Sequence, residues 1–246
     1  MKLPIALPIL LLWSIYDIKQ REVPGKLGYS AIAVVLAYSV LYYLIMDQSK
    51  DIPVLPLAVH AGVNLALLAM LALVSQLGLL GWGDFAAFLI VAIDAPRPPF
   101  YGVAVFTPLL TTLFYFILAY MLIPAALFVA NLTNLEEVRK LPSLSYKILY
   151  MFTARPKALV EVLRNPGWWY PLNVCGTYRK LFNIYLDPLD IVAELKEALR
   201  KGCHKPDDKI WFSFGVPGIP IVALAYLLAL ILGDRLLLNL ITTLAN

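Results

Sequence analysis

The sequence predicts a polytopic α-helical membrane protein, with six transmembrane helices and a small cytoplasmic insert before the last. Three observations carry this expectation. Of the 246 residues, 61% are hydrophobic and 15% charged, whereas about a quarter are charged in a soluble domain. The apolar residues are gathered into long blocks, so the expected solvent is lipid. The charge is concentrated, with thirteen of the twenty Lys and Arg residues between Arg139 and Lys209.

The first apolar run, Leu3 to Tyr16, follows Lys2 as a signal peptide would. No small-x-small cleavage site follows, and Asp17 and Lys19 come instead, so it is expected to remain as the first helix. The second run is Leu27 to Met46. The third begins after Asp51 and carries no charge until Asp84, and the fourth is Phe85 to Ile93. Pro96, Pro98 and Pro99 mark a turn. The fifth run goes from Phe100 to about Leu132, with Pro108 and Pro124 as expected bends. The last is Ile210 to Gly233. Residues 1–130 are thus predicted as a membrane domain of five transmembrane helices. Residues 131–209 are the insert, and 210–246 a sixth transmembrane helix with a C-terminal tail.

Inside the insert, Asp187-Pro188-Leu189-Asp190 reads as a helix start, with Asp187 as N-cap and Pro188 at the first position. Gly202 reads as its stop. Ile191, Leu195, Ala198 and Leu199 give this helix an apolar face. Trp168, Trp169, Tyr170, Tyr178 and Tyr185 point to a small packed unit of helices with a short strand pair. Cys175, Cys203, His60 and His204 cannot form a four-ligand zinc site without carboxylates. The two cysteines are expected as free thiols, and neither a metal nor another cofactor is required. The net charge of +4 follows from the basic insert and loops, and no nucleic-acid partner is expected.

Placing the N-terminus outside puts Lys19, Arg21, Lys26 and the thirteen basic residues of the insert inside, sixteen of the twenty. This satisfies the positive-inside rule and turns Asp17 and Asp84 towards the cytoplasm. Leu3 to Tyr16 spans about 21 Å of helix and Phe85 to Ile93 about 14 Å, against a hydrocarbon core of about 30 Å. Neither crosses unless its aspartate is drawn inside the boundary, and the fourth helix is expected to start near Leu79 or Leu80. An ionisable group at that depth needs a partner or a wet cavity.

Two carboxylates sharing a site do not both ionise cheaply. The ionised one can take a proton from water while the protonated one polarises a carbonyl, which is metal-free peptide hydrolysis. Asp17 and Asp84 are the candidate catalytic pair. Gly81 and Gly83 are the candidate positions of close backbone and substrate approach, free to adopt unusual angles. Asp94 at the other end of the same helix, and His60 with Asn64 on one helical face, are expected to make contacts between helices. Lys19, Arg21 and Lys26 are expected to anchor helix ends to headgroups, with Glu22 a solvated loop acid.

Asp17-Ile18-Lys19-Gln20-Arg21-Glu22-Val23-Pro24, followed by Gly25-Lys26-Leu27, resembles the first-aspartate motif of type IV prepilin peptidases. Gly81-Trp82-Gly83-Asp84 is similar to the second, the Gly-x-Gly-Asp signature. Phe214-Gly215-Val216-Pro217-Gly218-Ile219-Pro220 resembles the opening of that family's last helix. The loop after the first helix lacks the Cys-x-x-Cys pairs of bacterial members, and Phe85-Ala86 replaces the residues that follow the bacterial second aspartate. Both features point to the archaeal preflagellin and prepilin peptidase branch, and N-methyltransferase activity is not carried over. The resemblance implies an aspartic endopeptidase of the cell membrane. It would remove a short basic leader from pilin-like or preflagellin precursors at the cytoplasmic face, its partners being that precursor and the lipid bilayer.

Three other readings compete. Presenilin-like intramembrane proteases also use Tyr-Asp and Gly-x-Gly-Asp, as in Tyr16-Asp17, but on successive helices, whereas two helices intervene here. A proton-coupled transporter would use Asp17 and Asp84 as relay acids, yet both lie near one face rather than at the midplane. A membrane-anchored scaffold displaying the insert leaves both acids unexplained.

Overall fold

The computed structural model describes residues 4–46, 54–94, 106–164, 169–180 and 188–245. It is mostly helical, at 74%, with a small sheet. In chain order the elements are α1 (Ala6–Gln20), α2 (Gly25–Met46), α3 (Val54–Gln76), α4 (Trp82–Asp94), α5 (Pro108–Asn131), a 3-10 turn (Leu132–Asn134), α6 (Leu135–Arg139) and α7 (Leu144–Thr153). Then come β1 (Ala154–Ala158), α8 (Leu159–Arg164), β2 (Trp169–Pro171), β3 (Asn173–Val174), β4 (Thr177–Tyr178), α9 (Pro188–Arg200), β5 (Lys209–Phe214), α10 (Gly218–Leu232) and α11 (Arg235–Ala245). They form two compact units, residues 1–119 with 217–246, and residues 120–216.

The first unit is built around its short helices. Ala6, Leu10 and Trp13 of α1, Ala87, Phe88 and Val91 of α4, and Ile219, Val222, Ala223 and Tyr226 of α10 share one buried cluster. These positions recur at three- and four-residue steps, which puts each set on one helical face. Small residues among them let the helix axes approach closely. Phe88 meets Phe116 of α5 edge to face at 5.2 Å. The long helices α2, α3 and α5 leave most of their apolar surface uncovered, as surfaces meant for lipid would.

Among the described residues, three helical stretches are long and apolar enough to cross a membrane: Gly25–Tyr42, Ala58–Gln76 and Pro108–Arg139. The pair α10 and α11, bent by 80°, would be a fourth if counted as one span. The first and fourth of the six expected spans are shorter, at 15 residues for α1 and 13 for α4. Their rise gives only about 22 and 20 Å, and what they share is burial among the other helices.

Several boundaries differ from expectation. Helix α4 begins at Trp82 rather than near Leu79, because α3 already ends in a turn through Gly78 at φ +71°. Pro108 opens α5 instead of bending it, and the Thr107 hydroxyl accepts the Leu110 N–H at 3.2 Å. Helix α5 continues through Pro124. Residues 209–214 are a strand, not the start of the last helix. Ile210, Trp211 and Phe212 favour extended backbone, and Gly215 and Pro217 delay the helix to Gly218. Pro96, Pro98 and Pro99 lie outside the described residues.

The second unit holds more sheet than the single strand pair expected. Strands β1, β5 and β2 form an antiparallel sheet with β5 in the centre, and β3 pairs with β4 as a hairpin. Pro156 and Pro171 fall on the two outer strands, where a missing N–H is tolerated. Alternation along β5 sends Ile210 and Phe212 to one face, with Leu159, Ile191, Leu195 and Ala198 of α8 and α9. Trp211 goes to the other, with Tyr150 and Met151 of α7. The apolar face read for α9 is therefore buried through Ile191, Leu195 and Ala198, with Leu199 half-buried. Gly202 at φ +70° ends the helix as expected. The proposed cap Asp187, and Trp168 and Tyr185, lie outside the described residues.

Cys175 and Cys203 are joined in a disulfide, against the expectation of free thiols. The hairpin turn brings Cys175 beside the residue that follows the Gly202 stop, a proximity that two isolated cysteines cannot announce. His204 Nε2 accepts the Cys175 N–H at 3.1 Å in the same corner. The bond closes a loop with a separation of 28 residues, for which chain entropy gives about 3–4 kcal/mol of stabilisation. Reduction, or Cys203→Ser, is therefore expected to make residues 169–203 cleavable by protease at lower temperature. The measurement is limited proteolysis with and without reductant, and identical profiles would contradict it.

Candidate functional site

Asp17 lies four residues before Arg21, on the last turn of α1. Arg21 follows the helix at φ +58° and closes it by donating its N–H to the Asp17 carbonyl at 3.0 Å. The Arg21 side chain is near enough for its charge to act on the Asp17 carboxylate. It thus has a closer role than headgroup anchoring.

Asp84 occupies the first turn of α4, and Gly81 is the residue before that helix. The Asp84 carboxylate reaches back towards the backbone of Gly81, while Phe85 donates its N–H to the Gly81 carbonyl at 3.0 Å. This is the arrangement by which an acid at the third helical position satisfies an open N–H at the cap.

The two acids converge on one place, the N-terminus of α10. Asp17 Oδ2 accepts the Ile219 N–H at 3.1 Å. The Asp84 carboxylate lies against the Cα of the adjacent residue, Gly218. A Cβ built there would stand 2.7 Å from Asp84 Oδ2 and closer still to Cγ and Oδ1. Asp84 is near enough to feel the charge of Asp17. Both are half-buried, so neither side chain is wholly enclosed. The amide end of a helix adds a positive potential to this spot.

Gly81 and Gly83 are expected from the sequence to supply unusual backbone angles. Neither lies in the left-handed region, which in this stretch is reached at Gly78. They matter through space instead. A Cβ on Gly81 would come within 3.1 Å of Asp84 Oδ2, whereas one on Gly83 would meet Ile219 Cδ1 at an ordinary 3.5 Å. The residues whose role motif reading left undefined are Gly218 and Ile219. The Pro-Gly-Ile-Pro string marked a helix opening, but only the fold shows that this opening is where both aspartates dock.

Asp94 is set apart from this pair, at the far end of α4. Its Oδ2 accepts the Ala6 N–H at 2.9 Å and the Tyr226 hydroxyl at 3.1 Å. It caps α1 and ties α4 to α10, as an interface residue. Asp94→Asn can keep both bonds through its amide oxygen and is expected to leave function intact. Asp94→Leu strands both donors, at about 2–4 kcal/mol. Thermal unfolding of the two variants in detergent checks this, and equal midpoints would contradict it. Asn64 is buried and His60 half-buried on α3. Asn64 Oδ1 has no hydrogen-bond partner among the described residues, so the expected bond between helices is not made through that atom.

Comparison with known proteins adds no family. Neither a scan against protein-family models nor a search of curated proteins finds a match.

Proposed function

We propose that this chain is a six-span membrane aspartic endopeptidase of the type IV prepilin peptidase kind, with Asp17 and Asp84 as its catalytic pair. Helices α1 to α5 and α10 are the spans of this reading. The observation that carries it is the convergence of two acids from α1 and α4, far apart in sequence, on consecutive residues of a third helix. The hydrogen bond to Asp17 comes from a backbone N–H and uses one of its carboxylate oxygens, which leaves the other for water and substrate.

In this reading one carboxylate takes a proton from a water molecule, and the water oxygen bonds to the scissile carbonyl carbon. The other carboxylate gives its proton to the carbonyl oxygen. Collapse of the gem-diol then breaks the C–N bond: the departing nitrogen receives the proton held by the first acid, and the second carboxylate takes a proton back from a gem-diol hydroxyl as the new carboxyl group forms. Both acids end as they began, and one water is consumed.

The short central helices suit such a site. At about 20–22 Å they fall short of a core of about 30 Å, so the acids at their ends can reach water inside the boundary. The substrate would be a helical precursor in the bilayer with a basic leader at the aspartate end. Lys19, Arg21 and Lys26 favour the cytoplasm for that end. The disulfide in residues 120–216 weighs the other way, since such bonds persist in oxidising compartments, with intracellular proteins of hyperthermophiles excepted. Co-expression with a pilin-like precursor tests the activity: a precursor shortened by its leader supports the reading. An unprocessed precursor beside well-expressed protein, for pilin and preflagellin substrates alike, would overturn it.

A further inference from the structure

The peptidase reading leaves unused an amphipathic surface at the end of α5. Helix α5 runs 24 residues, about 36 Å, so a core of about 30 Å ends within its last turn or two. Phe128 lies at that level. It stacks on Phe152, near the C-terminus of α7, with ring centroids 4.9 Å apart and planes 16° from parallel. Three residues on, the buried Asn131 donates through Nδ2 to the carbonyls of Met151 and Ala154 at 3.1 and 2.7 Å. A side chain of α5 thus caps α7, and the C-terminal end of α7 is pinned at the level where the apolar span finishes.

The outward face of α7 does not read as a soluble surface. Leu144, Ile148 and Phe152, at four-residue steps, are 72%, 55% and 39% exposed. Leu132 and Leu135, just past the end of α5, are exposed as well. The opposite face of α7, with Tyr150, is already buried, and Met151 is buried at the edge of the stripe. Charge accompanies this stripe. Residues 132–155 hold Arg139, Lys140, Lys147 and Arg155 against Glu136 and Glu137. Of these, Lys140 pairs with Glu137 at 2.8 Å. A helix with one apolar face, Lys147 on it, further basic residues before and after it, and an end tied to a membrane span is built for the headgroup layer.

We infer that residues 132–155 form an interfacial anchor, with α7 seated on the bilayer through Leu144, Ile148 and Phe152, and its basic flank on anionic phospholipid headgroups. Phe152 is the deepest of the three. Ile148 lies about 6 Å and Leu144 about 12 Å along the axis from it, so immersion falls off towards the start of α7. The anchor does not depend on the activity proposed above.

The test uses the full chain with one added cysteine, Phe152→Cys, Ile148→Cys, Leu144→Cys or Leu189→Cys, spin-labelled and placed in vesicles. The native cysteines are bonded to each other and do not take the label. Leu189, on α9 and 77% exposed, is the aqueous reference. In phosphatidylglycerol-rich vesicles the oxygen-to-nickel accessibility ratio at 148 is expected to exceed that at 189 several-fold, with 152 higher and 144 lower. In pure phosphatidylcholine the ratio at 148 is expected to fall towards the reference. Equal ratios at 148 and 189 in phosphatidylglycerol overturn the anchor. An unchanged high ratio at 148 in phosphatidylcholine overturns its dependence on anionic lipid. Since Ile148 is not part of the packed core, its replacement leaves the fold available for the measurement.

Discussion

Asp17→Asn and Asp84→Asn are each expected to lower leader removal by about 10²–10⁴-fold, the range that positioned proton transfer contributes, while the protein still accumulates in the membrane. The substitution keeps size and hydrogen bonding. The new amide oxygen at position 17 can still accept the Ile219 N–H, and the amide at position 84 fills the space of the carboxylate, so the helix starts survive. What disappears is the capacity to hold or release a proton. Because the two groups act on one water, the double variant should be scarcely worse than either single one. The wild type should show a rate that rises and then falls with pH, because only the singly protonated pair carries both roles. The measurement is single-turnover cleavage of a precursor in liposomes across a pH series. Activity near the wild-type level in either variant, or a profile flat from acid to alkaline pH, would remove the pair from the chemistry.

How much of this was legible beforehand varies with the physics of each element. Apolar block length located α2, α3 and α5 well, because a lipid-facing helix must be apolar along its length. The same signal set the start of α4 too early. Leu79 and Leu80 are as apolar as the helix, and only the turn at Gly78 and the cap at Gly81 decide the boundary. The last apolar run merged a strand with a helix, since Ile210-Trp211-Phe212 is apolar because it is the centre of a sheet. The two acids were readable as intrusions of charge into apolar blocks. Their meeting point was not, because Gly218 and Ile219 carry no chemistry of their own and act through a bare Cα and an N–H. The disulfide stayed hidden for a related reason: Cys175 and Cys203 become neighbours only through a hairpin and a helix stop that pack together.

Glycine replacements around Asp84 give the second large effect, and a graded one. The Gly218 Cα leaves no room for a methyl group beside the Asp84 carboxyl, all of whose heavy atoms would lie within 2.7 Å of it. In Gly218→Ala one of the two must move. The backbone of Gly218 is held in the first turn of α10 by the Ile219 N–H bond to Asp17, so the Asp84 side chain is the softer party. Rotating it away moves it off Gly81 and Gly218 and separates it from Asp17. Gly218→Ala is therefore expected to lose activity to the extent of Asp84→Asn, about 10²-fold or more, without unfolding, because the displaced atoms are a side-chain end rather than backbone. Gly81→Ala, with its Cβ at 3.1 Å from Oδ2, should lose part of the activity. Gly83→Ala, at 3.5 Å from a flexible Ile219 methyl, should be close to wild type. Cleavage rates and thermal midpoints measured together for the three variants decide the matter. The order Gly218, Gly81, Gly83 in rate, with midpoints little changed, ties activity to the seat of Asp84. A Gly83→Ala variant as inactive as Gly218→Ala would mean that the Gly-x-Gly pair serves the approach of substrate rather than the placement of the acid.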